Sequence, residues 1–133
     1  WRELTGFVTL AFNSLDEDEK QHCTVFCQRN YGYAGAVHFY GKQSGLPQPV
    51  TFHESYIFWA PDSIPEEPLI YVFYNSDEMN SLFSDIKEIG TVNDPYFREK
   101  GVKVFLCRNP KTNIQEVYGN AVYNERKRFT RAN

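Results

Sequence analysis

The side chains in this sequence that are best suited to chemistry are the consecutive His53, Glu54 and Ser55. A histidine, a carboxylate and a hydroxyl are the groups from which enzymes build acid–base and nucleophilic sites. Consecutive residues of an extended strand alternate between its two faces, so these three cannot form a hydrolase triad by themselves. At the carboxyl end of a strand they can line one cleft, which is where open α/β sheets bind ligands. We therefore treat them as candidates for contact with a ligand or an interface, and we predict no catalytic residue.

A second candidate segment is the turn Asn30-x-Gly32-x-x-Gly35, which also contains Tyr31. Its position between a predicted strand and a predicted helix is close to that of a dinucleotide-binding turn, with asparagine in place of the first glycine. Glu54 follows at about the distance expected for a ribose-binding acid. The alternative is that these residues are small only so that the helix can lie close to the sheet. We favour this alternative and predict no cofactor.

Aromatic residues follow directly after Ser55, including Tyr56 and Trp59, and the stretch ends at Pro61. An aromatic side chain here could stack on a sugar ring. It could equally form a hydrophobic plug that holds a long loop in place. The two interpretations stay open from the residues alone.

Composition restricts the class of protein. The chain has 133 residues, of which 41% are hydrophobic and 23% charged, as expected for one globular domain. The net charge of -3 argues against binding to nucleic acid, since such domains are normally basic. No apolar run approaches the ~20 residues that span a bilayer. Because the chain begins at Trp1 without a methionine or a signal peptide, we expect a domain excised from a longer protein.

The three cysteines are Cys23, Cys27 and Cys107. On one strand, Cys23 and Cys27 would lie about 13 Å apart. That distance excludes a disulfide between them and a shared metal ion, so we predict buried free thiols and no metal site.

Hydrophobic periodicity and turn residues predict an α/β layered, Rossmann-like domain with an at least partly parallel sheet of about five strands and helices packed on it. Helices are predicted over residues 1–15, 30–44, 77–83 and 113–128. Strands are predicted over residues 22–28, 49–53, 69–74, 86–92 and 102–107. The acidic run over residues 16–20 is predicted to be a loop. Asp77 is a plausible N-cap of its helix.

Basic residues are concentrated in the last predicted helix, at Arg126, Lys127, Arg128 and Arg131. Cations at the carboxyl end of a helix are stabilised by its dipole, which is a sufficient explanation. A surface near anionic lipid head groups would use the same residues.

An ordered set of motifs resembles a known family. The motifs are Asn30-Tyr31-Gly32-x-Ala34-Gly35-Ala36, Tyr40-Gly41, Gly45-Leu46-Pro47 and His53-x-Ser55-Tyr56-x-Phe58-Trp59-x-Pro61. They are similar to the C-terminal extracytoplasmic domain of bacterial membrane glycosyltransferases of the dolichyl-phosphate-mannose-protein mannosyltransferase-like superfamily, which includes aminoarabinose lipid A transferases. The first four residues resemble the segment that follows the last membrane helix in that family.

The resemblance implies a parent enzyme in the bacterial inner membrane that transfers a sugar from a polyprenyl-phosphate donor. This domain would lie on the periplasmic side, contact the membrane-embedded part of the same chain, and support the active site or the choice of acceptor. The lipid-linked sugar or the acceptor would be its further partners. Two alternatives remain: a separate Rossmann-like domain that binds a nucleotide or a sugar, and a purely structural interaction module.

Overall fold

A computed structural model describes residues 2–28, 45–47, 49–52, 60–65, 67–93 and 100–132. These residues confirm the predicted α/β class, with helices packed on one sheet. Their elements are, in chain order, α1 (Arg2–Asn13), α2 (Glu17–Gln21), β1 (Thr24–Cys27), β2 (Leu69–Phe73), α3 (Asp77–Asn80), β3 (Phe83–Thr91), β4 (Lys103–Pro110) and α4 (Ile114–Ala132).

The sheet of the described residues has four strands in the order β1-β2-β4-β3. The β1–β2 pair is parallel, with Thr24 opposite Leu69, whereas β4 is antiparallel to both β2 and β3. A partly parallel sheet is therefore present. Of the predicted strand over residues 49–53, the described residues contain a single parallel bridge between Val50 and Phe26, on the free side of β1.

The strands β1, β2 and β4 contribute alternate side chains to two separate cores, because successive side chains of a strand point to opposite faces. In β2, Ile70 and Val72 enter one core, and Leu69 and Tyr71 enter the other. We call the first the α1 face and the second the α4 face, after the long helix that covers each. Burial on both sides explains the continuously apolar runs of β1, β2 and the first part of β4, whereas β3 is largely polar and exposed.

The α1 face is covered by the helix that the sequence predicts. Leu4, Val8, Ala11 and Leu15 recur at helical spacing and are all buried, and the first three are 0% exposed. Phe7 packs beside them and closes over Gly90 of β3. The local apolar pattern is thus sufficient to predict this layer.

The α4 face is covered by a longer helix than predicted. Ile114, Tyr118 and Val122 form its buried stripe, and the helix continues to Ala132. Tyr118 contacts Phe52, with ring centroids 5.6 Å apart, and Phe52 contacts Phe26 at 4.9 Å. Aromatic contacts therefore connect this helix to the end of the sheet that β1 and Val50 share.

Three local predictions were wrong. The acidic run is not a loop but the short helix α2, because Asp16 and Glu19 form a capping box that satisfies its first N–H groups. The helix predicted over residues 77–83 ends at Asn80, since Phe83 is 2% exposed and begins β3. Its N-cap is Ser76 rather than Asp77, and Ser76 makes no capping side-chain hydrogen bond.

A partly buried ion pair attaches α2 to the sheet. The guanidinium of Arg108 in β4 donates from Nε and Nη2 to the two carboxylate oxygens of Glu19, at 3.0 and 3.3 Å. Glu19 therefore has two roles, because its carboxylate also accepts from the backbone N–H of Asp16.

The residues that the structure describes include no helix long and apolar enough to cross a membrane.

Candidate functional site

The carboxyl end of β1 lies at the edge of the sheet from which both candidate segments continue. β1 has a parallel neighbour on each side, β2 on one and the bridge at Val50 on the other. Val50 donates to the carbonyl of Val25 at 2.7 Å and accepts from the N–H of Cys27 at 2.8 Å. The chain thus passes from β1 to one neighbour and later to the opposite one. Such a topological switch point is where open α/β sheets form a crevice for ligands.

Both candidate segments begin at this carboxyl edge. The chain leaves β1 through Gln28 and leaves the Val50 bridge through Phe52, and these two residues are described. The sequence-predicted site residues themselves lie outside the described residues: Asn30, Tyr31, Gly32 and Gly35 after the first exit, and His53, Glu54, Ser55, Tyr56 and Trp59 after the second. Their mutual contacts therefore remain predictions.

Polar and aromatic side chains of the described residues lie at the same edge. The side-chain amide of Gln28 donates to Glu78 of α3 at 2.9 Å, which links the end of β1 to the helix after β2. Tyr74 follows β2, is 38% exposed and has its ring 5.7 Å from that of Phe73. The sequence analysis missed these residues. They could have been found from the predicted end of a strand at residue 74. That end lies at the same edge of the sheet as the ends of β1 and of the Val50 bridge, because all three segments run parallel.

The loop that follows Trp59 is attached to α4 by polar side chains. We call residues 60–64 the α4-bound loop. The Tyr118 hydroxyl donates to the carbonyl of Pro61 at 2.6 Å, and Arg126 donates to the carbonyl of Ala60 at 2.7 Å. Farther along the loop, the N–H of Ile64 donates to Gln115 at 3.1 Å. The motif that ends at Pro61 is thus held at its last residue.

The proton of Tyr118 is well protected. Burial is the main cause that raises the pKa of its hydroxyl to about 12; the cation of Arg126 opposes this effect and the carboxylate of Asp62 adds to it. At neutral pH Tyr118 is therefore a donor, which is what the carbonyl of Pro61 requires. Arg126 is paired with Asp62 at 2.8 Å, so this arginine holds the loop through a carboxylate as well as through the carbonyl of Ala60.

A groove lies between the α4-bound loop and residues 119–130 of α4. Its volume is about 620 Å³, which falls in the range of small-molecule sites. It combines an aromatic ring, a carboxylate, two cations, a hydroxyl and a glycine. Among the described residues, its lining is formed by Asp62, Gly119, Val122, Tyr123, Arg126, Lys127 and Thr130.

The cysteines contribute no nucleophile at neutral pH. All three are buried and free, as predicted from the sequence. Burial raises the pKa of Cys23 and of Cys107 to about 12, with smaller contributions from Glu19 and Asp85 respectively, and it also raises the pKa of the fully buried Cys27. In the described part of the chain, no group of three or more histidine, cysteine or acidic side chains could hold a metal ion.

Comparisons of this chain with protein-family models, with curated proteins and with solved structures found no match.

Proposed function

We propose that this chain is the periplasmic domain of a membrane glycosyltransferase of the mannosyltransferase-like kind described above, and that it supports sugar transfer without carrying the catalysis. The observation that carries the proposal is the shared origin of the two main motif segments. One leaves β1 after Gln28 and the other leaves the Val50 bridge after Phe52, at the same edge of the sheet. Motifs far apart in sequence thereby start from neighbouring backbone segments.

The glycine of a third motif supports the same proposal. Gly45 of Gly45-Leu46-Pro47 has φ of +76°, a left-handed conformation that favours glycine and is common just after a helix. The glycine of this motif thus lies at a position whose positive φ favours glycine over other residues.

A supporting role fits the α4-bound loop. Tyr118 and Arg126 fix the two carbonyls that directly follow Trp59, so the aromatic motif is anchored to the core at one end. An anchored segment can present side chains to the membrane-embedded part of the enzyme, or to its lipid-linked sugar or acceptor, with little loss of conformational entropy.

The rival is a Rossmann-like domain that binds a nucleotide or a sugar by itself. The topological switch point at β1 favours it, and in this proposal the segment around Val50 would extend into a fifth, parallel strand. Against it, β4 is antiparallel to both of its neighbours, whereas the sheet of a dinucleotide-binding fold is mostly parallel.

The full-length protein provides the decisive experiment. We expect about ten apolar segments upstream of Trp1, a protein that sediments with membranes, and transfer of a lipid-linked sugar that decreases in Trp59→Ala and Glu54→Ala. Leu10→Ala is the matched control, since Leu10 is an exposed side chain of α1. An upstream sequence without apolar segments refutes the membrane assignment. Unchanged transfer in both variants, at normal expression, refutes a role for this stretch in the reaction.

Calorimetry distinguishes the proposed function from the rival nucleotide- or sugar-binding domain. Titration of the 133-residue chain with NAD and with sugar nucleotides is expected to release no heat of binding. Micromolar binding of either ligand would replace the proposed function with the nucleotide-binding one.

A further inference from the structure

The groove on α4 contains chemical groups that carbohydrate sites use: an exposed aromatic ring and several polar side chains. We propose that it binds a neutral saccharide. The inference deepens the proposed function and rests on it for the biological source of the sugar. Its evidence lies in the described residues of α4 and of the α4-bound loop, apart from the motifs that carry the proposed function.

The aromatic part of the groove is Tyr123. Its side chain is 66% exposed, although it lies on a helix whose neighbouring aromatic residue, Tyr118, is buried. The Lys127 ammonium lies 5.9 Å from the centre of the Tyr123 ring, which helps to hold the ring in place. An exposed ring in a groove offers an apolar surface of the size of a sugar's C–H face.

The polar part of the groove suits hydroxyl groups. Asp62 is paired with Arg126, yet its side chain is 91% exposed and can accept from a ligand. Lys127 and Thr130 also line the groove and can donate to a ligand. A few fixed polar groups beside an aromatic ring give a ligand its orientation, and the ring supplies apolar contact.

Both cations of the groove already have partners within the chain, so the groove offers little free charge to an anion. Arg126 is paired with Asp62 at 2.8 Å. Lys127 lies over the ring of Tyr123, 5.9 Å from its centre. A phosphate would have to compete with the Asp62 carboxylate for Arg126, whereas the hydroxyl groups of a neutral saccharide can bind without breaking that pair.

Within the described part of the chain, no neighbouring side chain requires a glycine at position 119. It lies inside α4, where glycine is less stable than alanine, and a Cβ at this position would meet no atom of the described residues within 4 Å. The missing side chain therefore leaves open space where Gly119 lines the groove. Gly6 has the same open surroundings within α1, on the opposite face of the sheet, and serves as a matched control.

The test is a nuclear magnetic resonance titration of the ¹⁵N-labelled 133-residue chain. The probes are the methyl glycosides of mannose, glucose and galactose, with inorganic phosphate as the anionic comparison. We expect at least one glycoside to shift the amides of Gly119, Tyr123 and Lys127 in a saturable way, and phosphate to leave them unchanged.

The variants locate the binding. Tyr123→Ala should weaken the glycoside affinity about tenfold, the equivalent of losing most of a buried apolar contact, whereas Tyr123→Phe should retain it. Gly119→Leu should fill the groove and abolish the shifts, and Gly6→Leu should preserve them.

Three outcomes overturn the proposal: no response of α4 to any glycoside, a response to phosphate alone, or glycoside binding that survives Gly119→Leu. None of these outcomes bears on the upstream apolar segments or on the Trp59→Ala result. A failure of the groove and a failure of the proposed function are therefore distinguishable.

Discussion

The two faces of the sheet are built from the same four strands but differ in composition and in what they contact. The α1 face is mainly aliphatic, and its helix contributes Leu4, Val8 and Ala11, none of which is exposed. The α4 face is rich in aromatic residues, with Tyr71 fully buried and Phe105 beside it. Its helix also makes hydrogen bonds to a loop that belongs to a candidate site.

This difference separates stability from recognition. Close-packed aliphatic side chains contribute folding free energy without directional contacts, so the α1 face can be altered without reaching the carboxyl edge. On the α4 face, Tyr118 belongs to the core and also donates to the loop carbonyl of Pro61. We therefore expect α1-face substitutions to change stability alone, and α4-face substitutions to change the loop and the groove as well.

The largest expected effect concerns thiol reactivity, which tests whether both faces are closed. Cys23 and Cys27 lie on the α1 face and Cys107 on the α4 face. For Cys23 and Cys107, burial raises the pKa from 9.0 to about 12, so at pH 8 the thiolate is about a thousandfold scarcer than in an ordinary thiol. Ellman's reagent should detect no fast-reacting thiol in the native chain and three after denaturation.

The order in which Cys107 and Cys27 react with the reagent distinguishes the α4 face from the α1 face. In dilute denaturant, Cys107 should react before Cys27 if the α4 face opens first. Equal rates for Cys27 and Cys107 would mean that the two faces open together and would contradict their separation.

Leu4→Ala should produce the next largest effect. Leu4 is 0% exposed on the α1 face, and truncation leaves a cavity that should lower the free energy of unfolding by about 2–5 kcal/mol in urea titrations. Leu10→Ala on the same helix removes a side chain that is 60% exposed and should cost less than about 0.5 kcal/mol. Below the unfolding midpoint, the amide shifts of α4 should match the wild type; altered α4 shifts would mean that the two faces are coupled.

Gly90→Ala should have an intermediate effect on the α1 face. Gly90 lies at the irregularity of β3 beside Glu88, and a Cβ there would overlap the ring of Phe7. We expect a loss of about 1–3 kcal/mol in the free energy of unfolding. Phe7→Leu in the same chain should recover part of it, and additive effects in this double-mutant cycle would contradict the steric explanation.

Local patterns predicted the elements better than their arrangement. The spacing of Leu4, Val8 and Ala11 is sufficient to predict α1, because one helix face decides their burial. The helix α2 was also predictable from Asp16 and Glu19, whose spacing is that of a capping box, but the charge of the run suggested a loop.

The strand order was not predictable in the same way. β2 and β4 are both apolar on two faces, so their pattern does not specify which strand lies beside which, or in which direction. The insertion of β4 between β2 and β3 is a property of the assembled sheet.

The candidate site was predictable only in part. The strand ends, before Asn30 and at His53, could be estimated from sequence, which is enough to suggest one edge of a sheet. The attachment of Ala60 and Pro61 to Tyr118 and Arg126 joins residues far apart in the chain, and nothing in the local sequence signals it.

Tyr118→Phe is the smallest expected change in stability and the most direct test of the link between core and loop. The substitution keeps the buried ring and removes the hydroxyl that donates to Pro61 at 2.6 Å, so it should lower the free energy of unfolding by about 0.5–1.5 kcal/mol. The amide shifts should be confined to residues 60–64 and the facing part of α4. Tyr123→Phe, at an exposed position of the same helix, should leave both stability and the loop unchanged.

The pH dependence of the free energy of unfolding tests the role of Tyr118 independently. Because the pKa of Tyr118 is raised from 10.0 to about 12 in the folded chain, the unfolded chain loses this proton first as the pH rises. The stability that Tyr118 contributes is therefore fully present below pH 10 and is lost as the pH rises toward 12. Tyr118→Phe should lack this decrease in urea titrations between these two pH values. A variant that keeps the full alkaline decrease would show that Tyr118 is not the group that couples protonation to the α4 face.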